Sequence, residues 1–324
     1  MSAAGAQGWV RAKWPMLRRM LAGGFVILVM VLLGLAAARV DWREVWSAMT
    51  RLPASVLGQA AVVTLASYLV YGCYDLLGKR YTGHRLSWGR SYLIGMAAYA
   101  FLMSLGSSVG GLAMRLRLYT GAGVPAGDAL RVFGLAVATN WIGYFLVAGC
   151  VFWFRPLALP EDWSMGGGAL RVAGAAMLLL ALAYTPLCFL ARKREWHLWG
   201  QHRVSLPSGR LAMLQAPLAL ANWCLMGLVL YVLLQYRQPY LVVLQAILVS
   251  AVAGLIIRLP AGLGVLETVA VALLATPELP KAQVLASVLA YRSVYYLAPL
   301  FLAAVWYLLR EARLRLRDGG DAPA

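Results

Sequence analysis

The chain has 324 residues, of which 62% are hydrophobic and only 13% charged, and its formal net charge is +17. Because soluble domains carry about a quarter charged residues, this composition excludes an ordinary soluble fold and indicates a membrane protein. The positive charge does not indicate nucleic-acid binding, because the sequence contains no polar stretch of domain length that would present a basic surface.

Apolar stretches long enough to cross a bilayer, which takes about 20 residues, recur along the chain. Basic residues precede the first of them, as in a signal peptide, but no small-residue cleavage pattern follows, so we interpret it as a retained span. The sequence therefore predicts an all-α polytopic membrane protein, with six full spans at 21–38, 56–77, 131–154, 170–190, 211–234 and 282–309.

The region 91–130 begins as an apolar helix and continues into glycines and arginines that cannot face lipid as a second crossing. The loop at 191–210 is rich in arginine, and the positive-inside rule places it in the cytoplasm only if 91–130 enters the membrane and returns. We therefore predict a re-entrant helical hairpin with its tip at Gly110 and Gly111.

A second irregular region, 240–276, consists of two apolar limbs separated by Pro260, Gly262 and Gly264, which interrupt a continuous helix. We expect a second broken or re-entrant hairpin with these residues at its tip. Since each limb is long enough in sequence to cross, two full crossings remain the alternative.

The order span, span, hairpin, span occurs twice with opposite orientation, which predicts an inverted repeat at 21–154 and 170–309 within one membrane domain, 21–309. Transporters built in this way place broken helices and substrate near the midplane, so the hairpin tips at 104–112 and 259–265 are expected to approach each other. A basic segment at 1–20 and a tail at 310–324 are both expected in the cytoplasm of a bacterium, beside its inner membrane.

Glu267 is the most conspicuous candidate for a site, because it follows the second break at the start of a new apolar helix. An ionisable group at membrane depth is costly and usually faces a partner or a wet cavity. Arg258 and Arg292 are the available partners, and we prefer Arg292. The alternative is that Glu267 only stabilises the positive end of its helix.

Other polar residues are expected to line the same cavity and bind substrate. Tyr295 and Tyr296 share a helix face with Arg292. Arg115 is placed to hold a lipid phosphate, although ordinary positive-inside anchoring explains it too. Asn140 fits a cavity lining or a hydrogen bond between helices equally well.

The remaining chemistry-bearing residues receive structural interpretations. Asp75 and Lys79, one turn apart, are expected to form an interfacial salt bridge. The four cysteines lie singly in separate apolar stretches and the three histidines lie in basic loops, so we predict no metal site, no cofactor and no catalytic residue.

The segment RLPAGLGVLETVAVALL at 258–274 resembles a signature of the flippase-like membrane domain of lysylphosphatidylglycerol synthases, except for Ala261 in place of the common glycine. The earlier GGLAMRLRLYTGAGVPAGDALR is similar to that family's glycine–arginine region, and the resemblance covers roughly 20–310. In full synthases a cytoplasmic domain aminoacylates phosphatidylglycerol, and the membrane domain is implicated in moving the product between leaflets. The resemblance implies the stand-alone membrane domain.

Three functions are consistent with the sequence: a flippase or transporter of a lipid-linked substrate, which we prefer; a non-catalytic membrane partner of a lipid-synthesising enzyme; and an intramembrane lipid-modifying enzyme. The expected binding partner is a membrane phospholipid or lipid-linked substrate, and nucleic acid is not expected. Polar residues lining an enclosed cavity would favour transport, whereas a flat apolar seam without a cavity would favour the partner role.

Overall fold

The computed structural model describes residues 42–155, 167–191, 195–198, 202–257 and 264–320, together with Gly24, Ile27, Val31 and Gly34. The chain divides into two compact units, Met1–Arg43 and Glu44–Ala324. The predicted first span at 21–38 falls in the first unit and lies outside the described residues apart from those four, which are helical.

From Trp42 onward the described residues form helices and one short antiparallel β-hairpin. In chain order the elements are α1 Trp42–Thr50, α2 Ala54–Thr82, α3 Trp88–Gly106, the π-helical segment π1 Ser107–Ala113, α4 Met114–Thr120, α5 Ala126–Phe154, α6 Gly167–Leu190, β1 Glu195–Leu198, β2 His202–Ser205, α7 Gly209–Leu233, α8 Tyr240–Ile257, α9 Val265–Leu274, α10 Lys281–Tyr291, the π-helical segment π2 Arg292–Leu297, and α11 Ala298–Gly320. Among the described residues, five helical stretches are long and apolar enough to cross a membrane: α2, α5, α6, α7 and the continuous α10–π2–α11. They correspond to five of the six predicted spans.

Local sequence explains where several of these helices begin and end. Pro53, Pro125 and Pro280 directly precede α2, α5 and α10, and proline suits a helix start because its missing N–H would have no intrahelical partner there. Ser87 caps α3 by accepting a backbone hydrogen bond of 3.4 Å from the first turn. Gly83 ends α2 in the left-handed conformation.

Helices α2 and α7 run antiparallel through the centre of the bundle. Leu77, near the end of α2, belongs to the same buried cluster as Leu211, at the start of α7. At the opposite end, the Tyr236 hydroxyl just after α7 donates a 2.6 Å hydrogen bond to Oε1 of Gln59, near the start of α2. These contacts define two ends of the bundle: end 1, where α2 begins, and end 2, where α2 stops.

Segments α3, π1 and α4 form a helical hairpin. The chain reverses at Gly106, whose φ of +82° is accessible mainly to glycine. The return limb then packs so closely on α3 that a Cβ atom on Gly110 would overlap the backbone carbonyl of Phe101. The predicted tip at Gly110 and Gly111 is therefore wrong by about one helical turn. The chain reverses at Gly106, and both glycines lie in the return limb.

Both feet of this first hairpin lie at end 2. Residues between 84 and 90, at the start of α3, and between 122 and 128, from the loop after α4 into the start of α5, line one common cavity. The loop before α3 follows directly from the end of α2. The two ends of the chain from 88 to 120 therefore lie close together at end 2.

Helices α8 and α9 form a second hairpin, with both feet at end 1. Nε2 of Gln238, just before α8, donates a 3.1 Å hydrogen bond to the carbonyl of Leu274, the last residue of α9. Helix α9 has ten residues and starts after Gly264, whose φ is +81°. At 1.5 Å per residue such a helix covers about 15 Å, half of a bilayer core, so the expectation that each limb is long enough to cross is wrong for α9.

The last helical stretch runs from end 1 to end 2. Arg237, at the foot of the second hairpin, donates a 3.0 Å hydrogen bond to Gln283 in α10. Near the other end of the stretch, Arg117 in α4 forms a 2.6 Å ion pair with Glu311. Helix α11 continues to Gly320, and so into the predicted tail at 310–324.

Candidate functional site

Glu267 and Arg292 form a bidentate ion pair inside the bundle. Nε of Arg292 donates to Oε1 of Glu267, and Nη2 donates to Oε2 over 3.0 Å. The side chains are 17% and 11% exposed, so the pair is largely buried but not sealed. The predicted partnership of Glu267 with Arg292 is confirmed, and it joins the second hairpin to the last helical stretch.

Arg292 begins π2, a segment with the wider turn that follows from i→i+5 hydrogen bonding. This turn brings Tyr296 under the guanidinium, 5.6 Å from the ring centre, at a distance suited to a cation–π contact. The backbone carbonyl of Tyr296 also accepts a 3.4 Å hydrogen bond from Ser104, next to the tip of the first hairpin. Segment π2 therefore contacts both hairpins, and such π-helical insertions occur frequently at functional sites.

Tyr295 points away from the ion pair into a sealed polar cluster. Its hydroxyl lies 2.7 Å from the Ser67 hydroxyl and 2.8 Å from the Tyr99 hydroxyl, and Ser67 donates to Asn222 over 2.9 Å. Tyr295 is fully buried, whereas Tyr296 is half-buried. The two tyrosines therefore do not share one surface as the helical spacing suggested, and only Tyr296 lies beside the accessible pair.

A cavity of about 680 Å³ adjoins π2. Its wall comes from α1, α2, α3, π2 and α11, and most of it consists of alanine, leucine, methionine and other apolar side chains. The polar exceptions are Thr64, Tyr68 and Ser293, and the Thr64 hydroxyl has no hydrogen-bond partner within the described residues. The cavity is partly open rather than enclosed, because lining residues such as Leu65 and Leu302 are exposed, and its lining is much less polar than the sequence predicts.

Arg115 lies in a second, fully buried ion pair. Its Nε and Nη2 donate to the two carboxylate oxygens of Asp75 over 3.1 and 2.8 Å, and the Tyr119 hydroxyl donates to the same carboxylate over 2.9 Å. Arg115 and Asp75 are 1% and 0% exposed. In this conformation Arg115 therefore cannot contact a lipid phosphate.

The predicted salt bridge between Asp75 and Lys79 is wrong. The ammonium of Lys79 instead donates a 2.7 Å hydrogen bond to the backbone carbonyl of His84. The return limb of the first hairpin brings Arg115 to Asp75, and a bidentate guanidinium is the stronger partner. Space for the carboxylate comes from Gly95, where a Cβ atom would lie 2.6 Å from Asp75.

The remaining predicted site residues lie apart from this centre or outside the described chain. Asn140 is half-buried, and its backbone carbonyl accepts a 3.1 Å hydrogen bond from the Trp223 indole, which joins α5 to α7. Arg258, Pro260 and Gly262 lie outside the described residues, so the predicted approach of 259–265 to 104–112 stays a prediction.

The polar cluster on α2 was not predicted, although the sequence contains a signal for it. Ser67, Tyr71, Tyr74 and Asp75 follow one another at spacings of four, three and one residues, which places them on one side of an otherwise apolar helix. In the structure all four are buried, and Tyr71 stacks on Tyr99 with ring centres 3.7 Å apart. A polar stripe on a span is a readable sign of an interior network.

Comparison with known proteins identifies the family. The family described as the lysylphosphatidylglycerol synthase TM region matches residues 20–303. The Escherichia coli (strain K12) protein named Inner membrane protein YbhN is 40% identical over 311 residues, which cover 96% of this chain and 98% of that protein. Uncharacterized protein slr0712 of Synechocystis sp. is 29% identical over 287 residues, which cover 86% and 88%. The chain is therefore a membrane-embedded member of the family of the lysylphosphatidylglycerol synthase transmembrane region.

Proposed function

We propose that this protein moves a phospholipid or lipid-linked substrate between leaflets, with the headgroup at the Arg292–Glu267 pair and an acyl chain in the adjacent cavity. The observation that carries the proposal is the position of Arg292 on π2. Its ion pair with Glu267 is partly exposed, and π2 also forms part of the wall of the 680 Å³ apolar cavity. The Asp75–Arg115 pair is sealed and serves the fold.

The chemistry of the pair suits a headgroup that exchanges with an internal partner. The guanidinium of Arg292 binds a phosphate with the same bidentate geometry as a carboxylate. A lipid phosphate can therefore take the place of Glu267 while the Arg292 side chain keeps its position. When the substrate leaves, Glu267 closes on Arg292 again and no buried charge remains unpaired.

The cavity suits the apolar part of such a substrate. Its volume lies within the range of about 300–1,000 Å³ that is typical of ligand pockets. Ser293 and Val294, which follow Arg292 in the chain, contribute to its wall, so one short segment contacts both parts of the lipid.

The arrangement of the hairpins supports alternating access by an inverted repeat. The first hairpin has its feet at end 2 and the second at end 1, and residues of both contact π2. We infer that both are re-entrant and that rocking of one repeat against the other exposes π2 to each leaflet in turn.

We place end 2 in the cytoplasm because arginines concentrate in its loops. A Gln201→Cys substitution, made in a variant lacking the four native cysteines, should therefore resist an impermeant thiol reagent added outside intact cells. A cysteine introduced at exposed Glu278, at end 1, should react. Labelling at position 201 but not at position 278 would show that end 2 faces the outside.

The proposed transport is tested by Glu267→Gln, with Glu278→Gln as the matched control on an exposed acid. The variants are reconstituted into vesicles with a fluorescent phospholipid, and movement is followed by reduction of the outer-leaflet label. Glu267→Gln removes the charge that accepts the hydrogen bonds of Arg292, and a hydrogen bond to a charged group contributes about 1.5–3 kcal/mol. We therefore expect this variant to move the labelled lipid between leaflets about tenfold more slowly, or slower still, at normal protein levels. The control should move lipid at the wild-type rate.

The apolar lining of the cavity favours one second candidate, a membrane partner that holds lipid for a separate lipid-synthesising enzyme. Such a protein would retain lipid during purification but would not accelerate movement between leaflets. Wild-type vesicles that move label no faster than protein-free vesicles would reject transport and leave this candidate.

A further inference from the structure

The Arg292–Glu267 pair is neutral as a unit, so an exchange of Glu267 for a lipid phosphate changes the charge of the site. Two guanidinium nitrogens of Arg292 donate to the two carboxylate oxygens, and a phosphate that binds in the same way displaces the carboxylate. Arg292 then balances the phosphate, while Glu267 has lost its counter-charge. Its side chain is only 17% exposed, and a charge in such a position is costly unless it is paired or neutralised.

The helices beside Glu267 offer no replacement cation within the described residues. Helix α9 contains no other charged residue, and α8, which packs against it, contains none. Helix α10 contains one, Lys281, which is exposed at end 1, about 16 Å along the helix from Arg292. A displaced Glu267 therefore has no ammonium or second guanidinium of these helices as a partner.

The other elements around the pair place phenols near it and their charged residues further toward end 2. Helices α2 and α3 reach π2 through Ser67 and Tyr99. The first charged residues from there toward end 2, on α2, α3 and α11, are Asp75, Arg90 and Arg310. The phenols on α2, α3, α8, α10 and π2 are those of Tyr68, Tyr71, Tyr99, Tyr240, Tyr291, Tyr295 and Tyr296. Phenol and guanidinium groups keep their protons near neutral pH, so Glu267 is the group of this described set that can gain one.

We infer that a proton accompanies each anionic lipid, an inference that rests on the proposed lipid movement. On the entry side, the lipid phosphate takes the two N–H donors of Arg292, and the freed carboxylate of Glu267 binds one proton from water. The loaded site then holds a guanidinium, a phosphate and a neutral carboxyl group, so its net charge is zero again. On the exit side the lipid leaves, Glu267 returns the proton to water, and the ion pair forms again.

This cycle makes the protein a proton–lipid symporter with one proton for each phosphate charge. The empty site returns as the neutral ion pair and carries no proton, so the proton crosses only together with the lipid. For a lipid whose phosphodiester carries one negative charge, a full cycle moves no net charge. A pH gradient should therefore drive the lipid toward the leaflet on the more alkaline side, whereas a membrane potential should have little effect.

The equilibrium test measures proton uptake on binding and requires no transport. Short-chain phosphatidylglycerol is titrated into the full-length protein in detergent by isothermal calorimetry, in buffers of different ionisation enthalpy at one pH. The slope of the measured heat against that enthalpy gives the number of protons bound with each lipid, and we expect about one. The dissociation constant should accordingly rise about tenfold for each unit of pH near neutrality.

Glu267→Gln keeps the size of the side chain but cannot take up a proton. This variant should bind the lipid without proton uptake and with an affinity independent of pH, whereas Glu278→Gln, a change at an exposed acid, should behave as wild type. A melting curve shows whether Glu267→Gln is folded; if it is not, the wild-type uptake and pH slope decide alone. The inference is overturned by wild type that binds no lipid or binds it without proton uptake, or by uptake that persists in folded Glu267→Gln.

The transport test separates the coupling from the lipid movement itself. Vesicles that contain wild type and fluorescent phosphatidylglycerol are given a pH gradient of either direction, and the outer-leaflet label is measured by chemical reduction. We expect the label to accumulate in the leaflet on the alkaline side and to redistribute when an ionophore collapses the gradient. Label that divides equally under both gradients would reject the coupling and leave the lipid movement standing. Label that moves no faster than in protein-free vesicles would reject the lipid movement.

Discussion

Replacing Asp75 with asparagine tests the buried ion pair that ties the first hairpin to α2. The carboxylate accepts two hydrogen bonds from Arg115 and one from Tyr119, and both charged side chains are almost completely buried. Asp75→Asn leaves the guanidinium at 1% exposure without its counter-charge. Removing one partner of such a pair costs about 3–5 kcal/mol, and the retained amide oxygen places the expected loss near the lower limit.

A second variant separates the charge from the shape of the site. Asp75→Asn combined with Arg115→Met removes both charges, and buried ion pairs replaced by apolar groups of similar volume are often close to neutral in stability. We therefore expect the double variant to be more stable than Asp75→Asn alone, although it carries one more substitution.

Stability is measured by denaturant unfolding in mixed micelles, followed by the fluorescence of the 12 tryptophans. Glu278→Gln, the same type of change at an exposed position, is the control and should alter the unfolding free energy by less than about 0.5 kcal/mol. If Asp75→Asn behaves like this control, or if the double variant is less stable than the single one, the buried charge of Arg115 is not the cause of the destabilisation.

Two further predictions use the same unfolding assay. Gly110→Ala should destabilise the protein by about 1–3 kcal/mol, because its methyl group would overlap the facing limb. Gly134→Ala, where a Cβ atom meets nothing within 4 Å, is the control and should be neutral or stabilising. Equal effects of the two substitutions would contradict the close approach of the two limbs of the first hairpin. Burial first, and then the charge of Lys79, lower the pKa of His84 from its usual 6.5, against a smaller opposite effect of Asp128. As pH falls below about 6.5, the unfolded state takes up the proton more readily, so stability should decrease, and His84→Phe should flatten that decrease; an unchanged slope would rule out His84 as its source.

The membrane-spanning parts of the chain from 54 onward, and the reversal in the first hairpin, were predictable from hydropathy and glycine content. Long apolar stretches have few alternatives to spanning helices, because lipid supplies no hydrogen bonds to an open backbone. The pairing of Glu267 with Arg292 was predictable for a related reason. An isolated carboxylate at membrane depth is costly, and the apolar segments around it offer few cations as partners.

The pairing of polar groups across the bundle was not predictable from the sequence and became clear from the packing of the helices. Asp75 pairs with Arg115 rather than the neighbouring Lys79, because the return limb of the first hairpin brings in a distant guanidinium. The wider turn of π2 rotates Tyr295 into the sealed cluster and leaves Tyr296 beside Arg292, a separation that α-helical spacing does not predict. These arrangements depend on contacts between residues far apart in the chain and on a local change of helix type, and neither is encoded in hydropathy.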